Sequence, residues 1–215
     1  VEHQDFLIKP DGFDIPYDSE KIHGISTALA EEQGVPLQIA LEKFNTALNK
    51  AKFVVGQNIG FDLNIMGCEF YRYGVDSKMA SMPVLDTCTE VTADLLKIPG
   101  GRGGRYKLPN LTELHSYLFG VPFAEAHNAT ADVEATTRCF LELVRREVFT
   151  TEELQVDTGY FVDFKTNNPG PVPTAGLKHI NLKAASDEIR KRAEPDDVRV
   201  VVDADTLSAL KEAKF

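Results

Sequence analysis

The strongest constraint on the fold is an alternation of short apolar segments with longer segments of helical periodicity before residue 150. Residues 52–55 are typical of a buried strand that ends at Gly56, and residues 83–85 form a second segment of this kind. Residues 4–10 are predicted to be another strand, which ends at its proline. Strands that alternate with helices predict an α/β fold, with a sheet flanked by helices.

Several segments between these strands show the apolar spacing of helices. Asn58 and the pair Asp86-Thr87 are suited to cap the two helices that follow the predicted strands. The longest helix is predicted over residues 129–147. The apolar positions that define the helices are Leu37, Leu41, Phe44 and Leu48; Ile59, Leu63, Met66 and Phe70; Cys88, Val91 and Leu95; Leu111, Leu114 and Leu118, ending at Gly120; and Val133, Thr137, Phe140 and Val144.

The sequence changes character after residue 149. A capping box at Thr150 and Glu153 predicts a short helix, and residues 167–173 are too rich in proline for a helix or a central strand. A polar helix near residues 182–192, an apolar strand at 198–202 and a final helix are predicted beyond this linker. We therefore divide the chain into a domain at residues 1–149 and an extension at 150–215.

Composition limits the possible functions. The net charge of −10 argues against binding nucleic acid through bulk electrostatics, although bound cations can reverse the local charge. Cys68, Cys88 and Cys139 lie in apolar helical patterns, so we predict reduced core thiols and a cytoplasmic protein. No apolar stretch approaches the roughly 20 residues that cross a bilayer, so no membrane partner is expected.

Three residues form a chemically specific set. Asp62 and Asp132 each fall in the first turn of a predicted helix, and His127 precedes Asp132 by five positions. Each alone has an ordinary explanation, since an acid complements a helix dipole and a loop histidine is usually solvated. Together they suit an acid–base site, because the loop histidine and the first-turn acid point to the same helix end.

The segments Asn58-Ile59-Gly60-Phe61-Asp62 and His127-Asn128-Ala129-Thr130-Ala131-Asp132 resemble the second and third motifs of the DEDDh exonuclease superfamily. The resemblance is strongest to the proofreading exonuclease of bacterial DNA polymerase III, and it covers about residues 4–147. Supporting similarities are Ile22-His23-Gly24-Ile25, Leu85-Asp86-Thr87 and Leu111-Thr112-Glu113-Leu114.

The resemblance implies a ribonuclease H-like fold, a mixed sheet flanked by helices, and a 3'–5' exonuclease acting on a single-stranded DNA 3' end. It implies that Asp62 and Asp132 hold metal, that His127 is the general base, and that His23 and Asn58 contact the substrate. The expected cofactor is a pair of Mg²⁺ (or Mn²⁺) ions, which activate water and offset the charge that develops on the phosphate. The expected partner is the catalytic chain of DNA polymerase III, in the same polypeptide or separate.

The first motif of the superfamily, Asp-x-Glu on the first strand, is not found on a strand of this sequence. Asp18-Ser19-Glu20 lies in a polar stretch and Asp132-Val133-Glu134 in a predicted helix, while Asp203 and Asp205 follow the apolar segment 200–202. We expect the first strands to lie upstream of Val1 and the chain as given to be inactive. Permutation, with the late strand as a substitute, remains an alternative.

Two other functions remain open: a non-catalytic scaffold for a replicative polymerase, and an exonuclease directed at RNA. The glycine-rich loop with Arg102, Arg105 and Lys107 is suited to phosphate, and Tyr106 to base stacking, although a solvated loop is the simpler interpretation.

Overall fold

The computed structural model describes residues 3–123, 128–173 and 187–191. Over these residues short strands and helices alternate between residues 54 and 96, and helices are the regular elements of the described segments on either side. The strands are β1 (Val54–Gly56) and β2 (Val84–Asp86). The helices are α1 (Tyr17–His23), α2 (Thr27–Gln33), α3 (Leu37–Lys50), α4 (Gly60–Arg72), α5 (Glu90–Leu96), α6 (Leu111–Phe119), α7 (Ala129–Arg145), α8 (Thr151–Leu154) and α9 (Tyr160–Asn167).

The two strands form a small parallel sheet, as the alternating pattern predicts for strands joined by a helix. Val54 is opposite Val84, and Gly56 is opposite Asp86. Within the described residues β1 pairs along one edge only. Since both strands run in the same direction, their carboxyl ends meet at one edge of the sheet, and the chain enters α4 from that edge.

The expected strand at residues 4–10 is wrong: the structure shows a single parallel bridge between Ile8 and Val35. The N–H of Lys9 donates to Val35 O, and the N–H of Val35 donates to Leu7 O. The ladder ends after this one bridge because helices flank Val35 on both sides. The next acceptor toward the N-terminus, Gln33, ends α2, and the next donor, Leu37, begins α3.

Most predicted helices are confirmed, and their caps show why they begin and end where they do. The first turn of α6 carries a capping box between Asn110 and Glu113, and Gly120 ends that helix with a positive φ of 76°. The predicted capping box of Thr150 and Glu153 opens α8. The cap predicted at Asp86-Thr87 is wrong, because α5 begins later and Thr89 accepts from the N–H of Thr92.

Two hydrophobic clusters hold these elements together. The larger joins β2, α6 and α7 with residues that follow α7; its buried members are Leu85, Leu114, Leu118, Cys139, Leu143, Val144, Phe149 and Leu154. The smaller joins α3 and α4 through Leu41, Leu48, Phe70 and Met79.

All three cysteines are free thiols, but only Cys139 is fully buried, and burial raises its pKa to about 12. The expectation of a core position is wrong for Cys68, which is exposed.

The segment after residue 149 continues the larger cluster. Tyr160, Phe161 and Phe164 of α9 pack against it. The linker predicted near residue 170 has no helix or strand over residues 168–173, and residues 187–191 are helical. The predicted strand at 198–202 and the final helix lie outside the described residues. No helix in the described ranges is both long and apolar enough to cross a membrane.

Candidate active site

Asp62 and Asp132 line the same cleft, which has a volume of about 920 Å³. Asp62 projects from the first turn of α4 and is exposed, whereas Asp132 projects from the first turn of α7 and is half-buried. The walls of this α4–α7 cleft come from these two helices, from β1 and from the start of α6. The structure therefore brings together two of the three residues that the sequence singles out.

Asp86 anchors the turn that leads into α4. One of its carboxylate oxygens, Oδ1, accepts from the N–H groups of Asn58 and Cys88, each at 2.8 Å. The other oxygen accepts from the N–H of Ile59 at 3.1 Å. From the end of β2, Asp86 thus accepts hydrogen bonds from the N–H groups of the two residues that precede α4. These bonds fix where the helix that carries Asp62 begins.

The prediction that the Asn58 side chain caps α4 is wrong. The helix is preceded by Ile59, which makes no side-chain cap, and Asn58 adopts a left-handed conformation with φ 54°. Asparagine tolerates this region better than most residues, so its role here is to turn the backbone. Asn58 is exposed and is not among the residues that line the cleft.

Gln57 connects the sheet edge to the start of α6. Its amide nitrogen donates to Pro109 O at 2.8 Å, and its amide oxygen accepts from the hydroxyl of Thr87. The Thr87 side chain is fully buried and also lies 3.1 Å from Gly56 O. These bonds hold Asn110 and the rest of the α6 N-terminus beside β1, where they form one wall of the cleft.

The two histidines predicted for the site have different outcomes. His23 ends α1, and its Nδ1 accepts from the N–H of Ile25 at 3.0 Å; burial lowers its pKa. It is not among the residues that line the cleft, so its contact with substrate stays a prediction. His127 lies outside the described residues, which resume at Asn128 immediately before α7.

Several contacts of the site lie beyond what the sequence motifs indicate. Phe123 and Phe140 contribute apolar walls to the cleft. The hydroxyl of Thr130, in the first turn of α7, donates to the carboxylate of Asp5 at 2.7 Å, which ties the start of the chain to this helix end. A first-turn threonine gives no sequence signal for a partner 125 positions away.

The described residues do not fit a two-metal centre. They contain no group of three or more histidine, cysteine, aspartate or glutamate side chains placed to hold a metal ion. Asp62 and Asp132 are two carboxylates facing one cleft, whereas two ions need more ligands than this pair can offer. The other Asp-x-Glu sequences cannot add to it as strand residues, since Asp18 and Glu20 lie in α1 and Glu134 lies in α7.

A small parallel sheet packed among helices is consistent with a ribonuclease H-like α/β exonuclease domain. The chain belongs to the RNase T exonuclease family, whose sequence model matches residues 1–140. This membership makes it a nuclease domain of the exonuclease type, from a superfamily that typically uses divalent metals. No curated protein matches the sequence closely enough to add a named relative.

Proposed function

We propose that this chain is a 3'–5' exonuclease domain that acts on the 3' end of single-stranded DNA, in proofreading beside the catalytic chain of a DNA polymerase III. The observation that carries the proposal is that Asp62 and Asp132 face one cleft in a chain of the exonuclease family. In this proposal the two acids serve divalent ions, Mg²⁺ or Mn²⁺, and His127 takes the proton of the attacking water.

The cleft offers room for the carboxylates that the described residues lack. Val54 and Val55 of β1, with Leu63 and Phe140, give it a largely apolar wall. The second edge of β1 has no partner strand among the described residues. An apolar strand with an Asp-x-Glu sequence, added along this edge, is our proposal for the source of the two further acids. Without such a strand we expect the chain to be inactive.

A scaffold function is the second candidate, and one observation favours it. The described residues hold two carboxylates at the cleft but no metal-binding group of three. A domain that keeps the fold without the chemistry would contact a polymerase or a nucleic acid through its surface. The exonuclease candidate predicts turnover and the scaffold candidate does not, so an activity assay distinguishes them.

The experiment compares cleavage of labelled single-stranded DNA and RNA of the same sequence, in Mg²⁺ and in Mn²⁺. It uses the present chain and the same chain carrying an added Asp-x-Glu strand. The proposal expects stepwise loss of nucleotides from the 3' end, and loss of turnover in Asp62→Asn, Asp132→Asn and His127→Ala. Asp163→Asn, an exposed acid in the first turn of α9, is the matched control.

Each outcome decides between the candidates. Turnover that survives in Asp62→Asn and Asp132→Asn contradicts the assignment of the cleft. No turnover in either chain, with the fold intact, favours the scaffold. Faster cleavage of RNA than of DNA replaces the proofreading role with that of an exoribonuclease.

A further inference from the structure

A compact basic loop lies directly beside the α4–α7 cleft. We define the basic loop as residues 98–108. It contains Arg102, Arg105 and Lys107 and no acidic residue, in a chain whose net charge is −10. Positive charge is therefore concentrated at one place on an acidic protein, where an anionic ligand could bind.

The loop has a defined shape. The N–H of Lys107 donates to Ile98 O at 2.8 Å and closes it, and a turn of 3-10 helix spans Arg102–Gly104. Gly101 packs so closely that a Cβ there would lie 2.2 Å from Tyr106 O, so only glycine fits. This crossing of the chain holds Arg105 and Tyr106 in place at the loop surface.

The two arginines of the loop are accessible, whereas Lys107 forms an ion pair with Glu113 at 2.6 Å. Arg102 is exposed and makes no ion pair with any described residue. Arg105 pairs with Glu90, but each side chain is 68% exposed. An ion pair this open to water contributes at most about 1 kcal/mol, so a phosphate can replace Glu90 as the partner of Arg105.

The loop and the edge of α5 enclose a cavity of about 380 Å³, lined by Arg102, Arg105, Tyr106 and Leu108 among others. A cavity of this size is within the range of small-ligand sites. Tyr106 is 41% exposed and offers a ring for stacking. Cationic groups beside an exposed aromatic ring are the combination that binds single-stranded nucleic acid.

The cavity adjoins the cleft through the chain itself. Leu108 lines the cavity and Asn110 lines the cleft. Their Cα atoms are at most about 7.6 Å apart, because consecutive Cα atoms are 3.8 Å apart. Pro109 between them is buried, and its carbonyl accepts from Gln57 Nε2 and from Cys88 Sγ, which holds this junction to the sheet edge.

We propose that the basic loop is a second nucleic-acid subsite, in which Arg102 and Arg105 bind the phosphates and Tyr106 stacks on a base of the strand whose 3' end lies in the cleft. The inference rests on the proposed function for the position of that end. The acids that share the cavity, Glu90 and Asp94, oppose this binding. Glu90 therefore acts as a competitor that the phosphate displaces from Arg105.

The test is the binding of fluorescein-labelled oligothymidylates of roughly 3 and 12 nucleotides, by anisotropy at several salt concentrations. In the double variant Arg102→Ala/Arg105→Ala, the longer strand should bind more weakly and the shorter one unchanged. The slope of log affinity against log salt should fall by about 1.4, since each phosphate contact on a single strand contributes about 0.7. Tyr106→Ala should weaken binding of the longer strand by at least about fivefold.

Glu90→Gln should have the opposite effect on affinity for the longer strand. It releases Arg105 and removes a competing charge, so binding of the longer strand should become tighter by a factor of up to about 5. A change that merely disordered the loop would weaken binding instead. The control Lys21→Ala/Lys165→Ala removes two ion-paired lysines of α1 and α9 and should leave the preference for the longer strand intact.

Binding of the longer strand by Arg102→Ala/Arg105→Ala at the level of the control overturns the subsite, as does weaker binding in Glu90→Gln. The proposed function has its own readout: the dependence of cleavage on Asp62, measured in the chain that carries the added Asp-x-Glu strand. If cleavage still depends on Asp62 while the loop variants bind the longer strand normally, the subsite is contradicted and the proposed function is not.

Discussion

Asp86 Oδ1 accepts a hydrogen bond from the backbone N–H of Asn58 at 2.8 Å, which joins the carboxyl ends of the two parallel strands. Asn58 follows β1 and opens the turn into α4, whereas Asp86 is the last residue of β2. The bond therefore sets the start of the helix that carries Asp62. In this family member Asp86 acts as a positioning residue beside the cleft.

Asp86→Ala should destabilise the protein by about 3 kcal/mol, because the N–H groups of Asn58, Ile59 and Cys88 lose a charged acceptor. Asp86→Asn should cost less, since one oxygen remains. Urea unfolding measures both values, and Asp163→Ala should change stability by no more than about 0.5 kcal/mol. An unchanged unfolding free energy in Asp86→Ala would show that the turn is held by other contacts.

Gln57→Ala should destabilise the protein by about 1–3 kcal/mol, since it leaves Pro109 O and the buried hydroxyl of Thr87 without the Gln57 amide. Gln38 provides the control: its side chain donates to Glu42 on the exposed surface of α3. Thermal unfolding should therefore separate Gln57→Ala from Gln38→Ala. Equal midpoints for the two variants would contradict the role of Gln57 at the sheet edge.

The buried carboxylate of Glu142 should make stability depend on pH in acid. Burial raises its pKa, but the hydrogen bonds and charges of Arg145 and Arg146 outweigh burial and hold the pKa below its usual value. This contribution is complete above the unfolded pKa of about 4.3 and is lost as the pH falls through the folded pKa.

Glu142→Gln should therefore cost about 3 kcal/mol at neutral pH and flatten the loss of stability in acid. The lower end of the range for a broken buried pair applies because both arginines are partly exposed. Urea unfolding between neutral pH and acid checks this, with the exposed Glu152→Gln as control. If the unfolding free energy fell equally with decreasing pH in Glu142→Gln and in wild type, the pH dependence would belong to other groups.

His115 should destabilise the fold when it is protonated. Burial lowers its pKa, as does the charge of Arg138, while the hydrogen bond to Val121 O acts in the opposite direction. Its Nε2 is buried and has no partner among the described residues. Because the folded pKa is below the unfolded value of about 6.5, stability is complete above that pH and declines as the pH falls below it.

His115→Leu should remove this decline and cost about 1 kcal/mol at higher pH, through loss of the bond to Val121 O. Chemical denaturation across this pH range measures the slope, and His3→Leu, at an exposed position, is the control. A slope that survives in His115→Leu would point to another histidine, such as His23.

The helices of this protein are largely predictable from the sequence because their signals are local. The spacing of Leu111, Leu114 and Leu118, with Gly120 as the end, defines α6 within two residues. The capping box at Thr150 depends only on a residue three positions away. The wrong strand at residues 4–10 has a non-local reason, since its partner Val35 lies between two helices that leave room for one bridge only.

The sequence by itself determined the helices α3 to α8, the two short segments that form β1 and β2, and the acids in the first turns of α4 and α7; it gave no prediction for α1, α2 or α9. Only the tertiary structure decided that Asp62 and Asp132 share a cleft, that Asp86 rather than the Asn58 side chain organises the start of α4, and that the basic loop adjoins the site. The reason is physical: periodicity and caps act within a few residues, whereas these relationships depend on two parallel strands aligning their ends across 30 residues of chain.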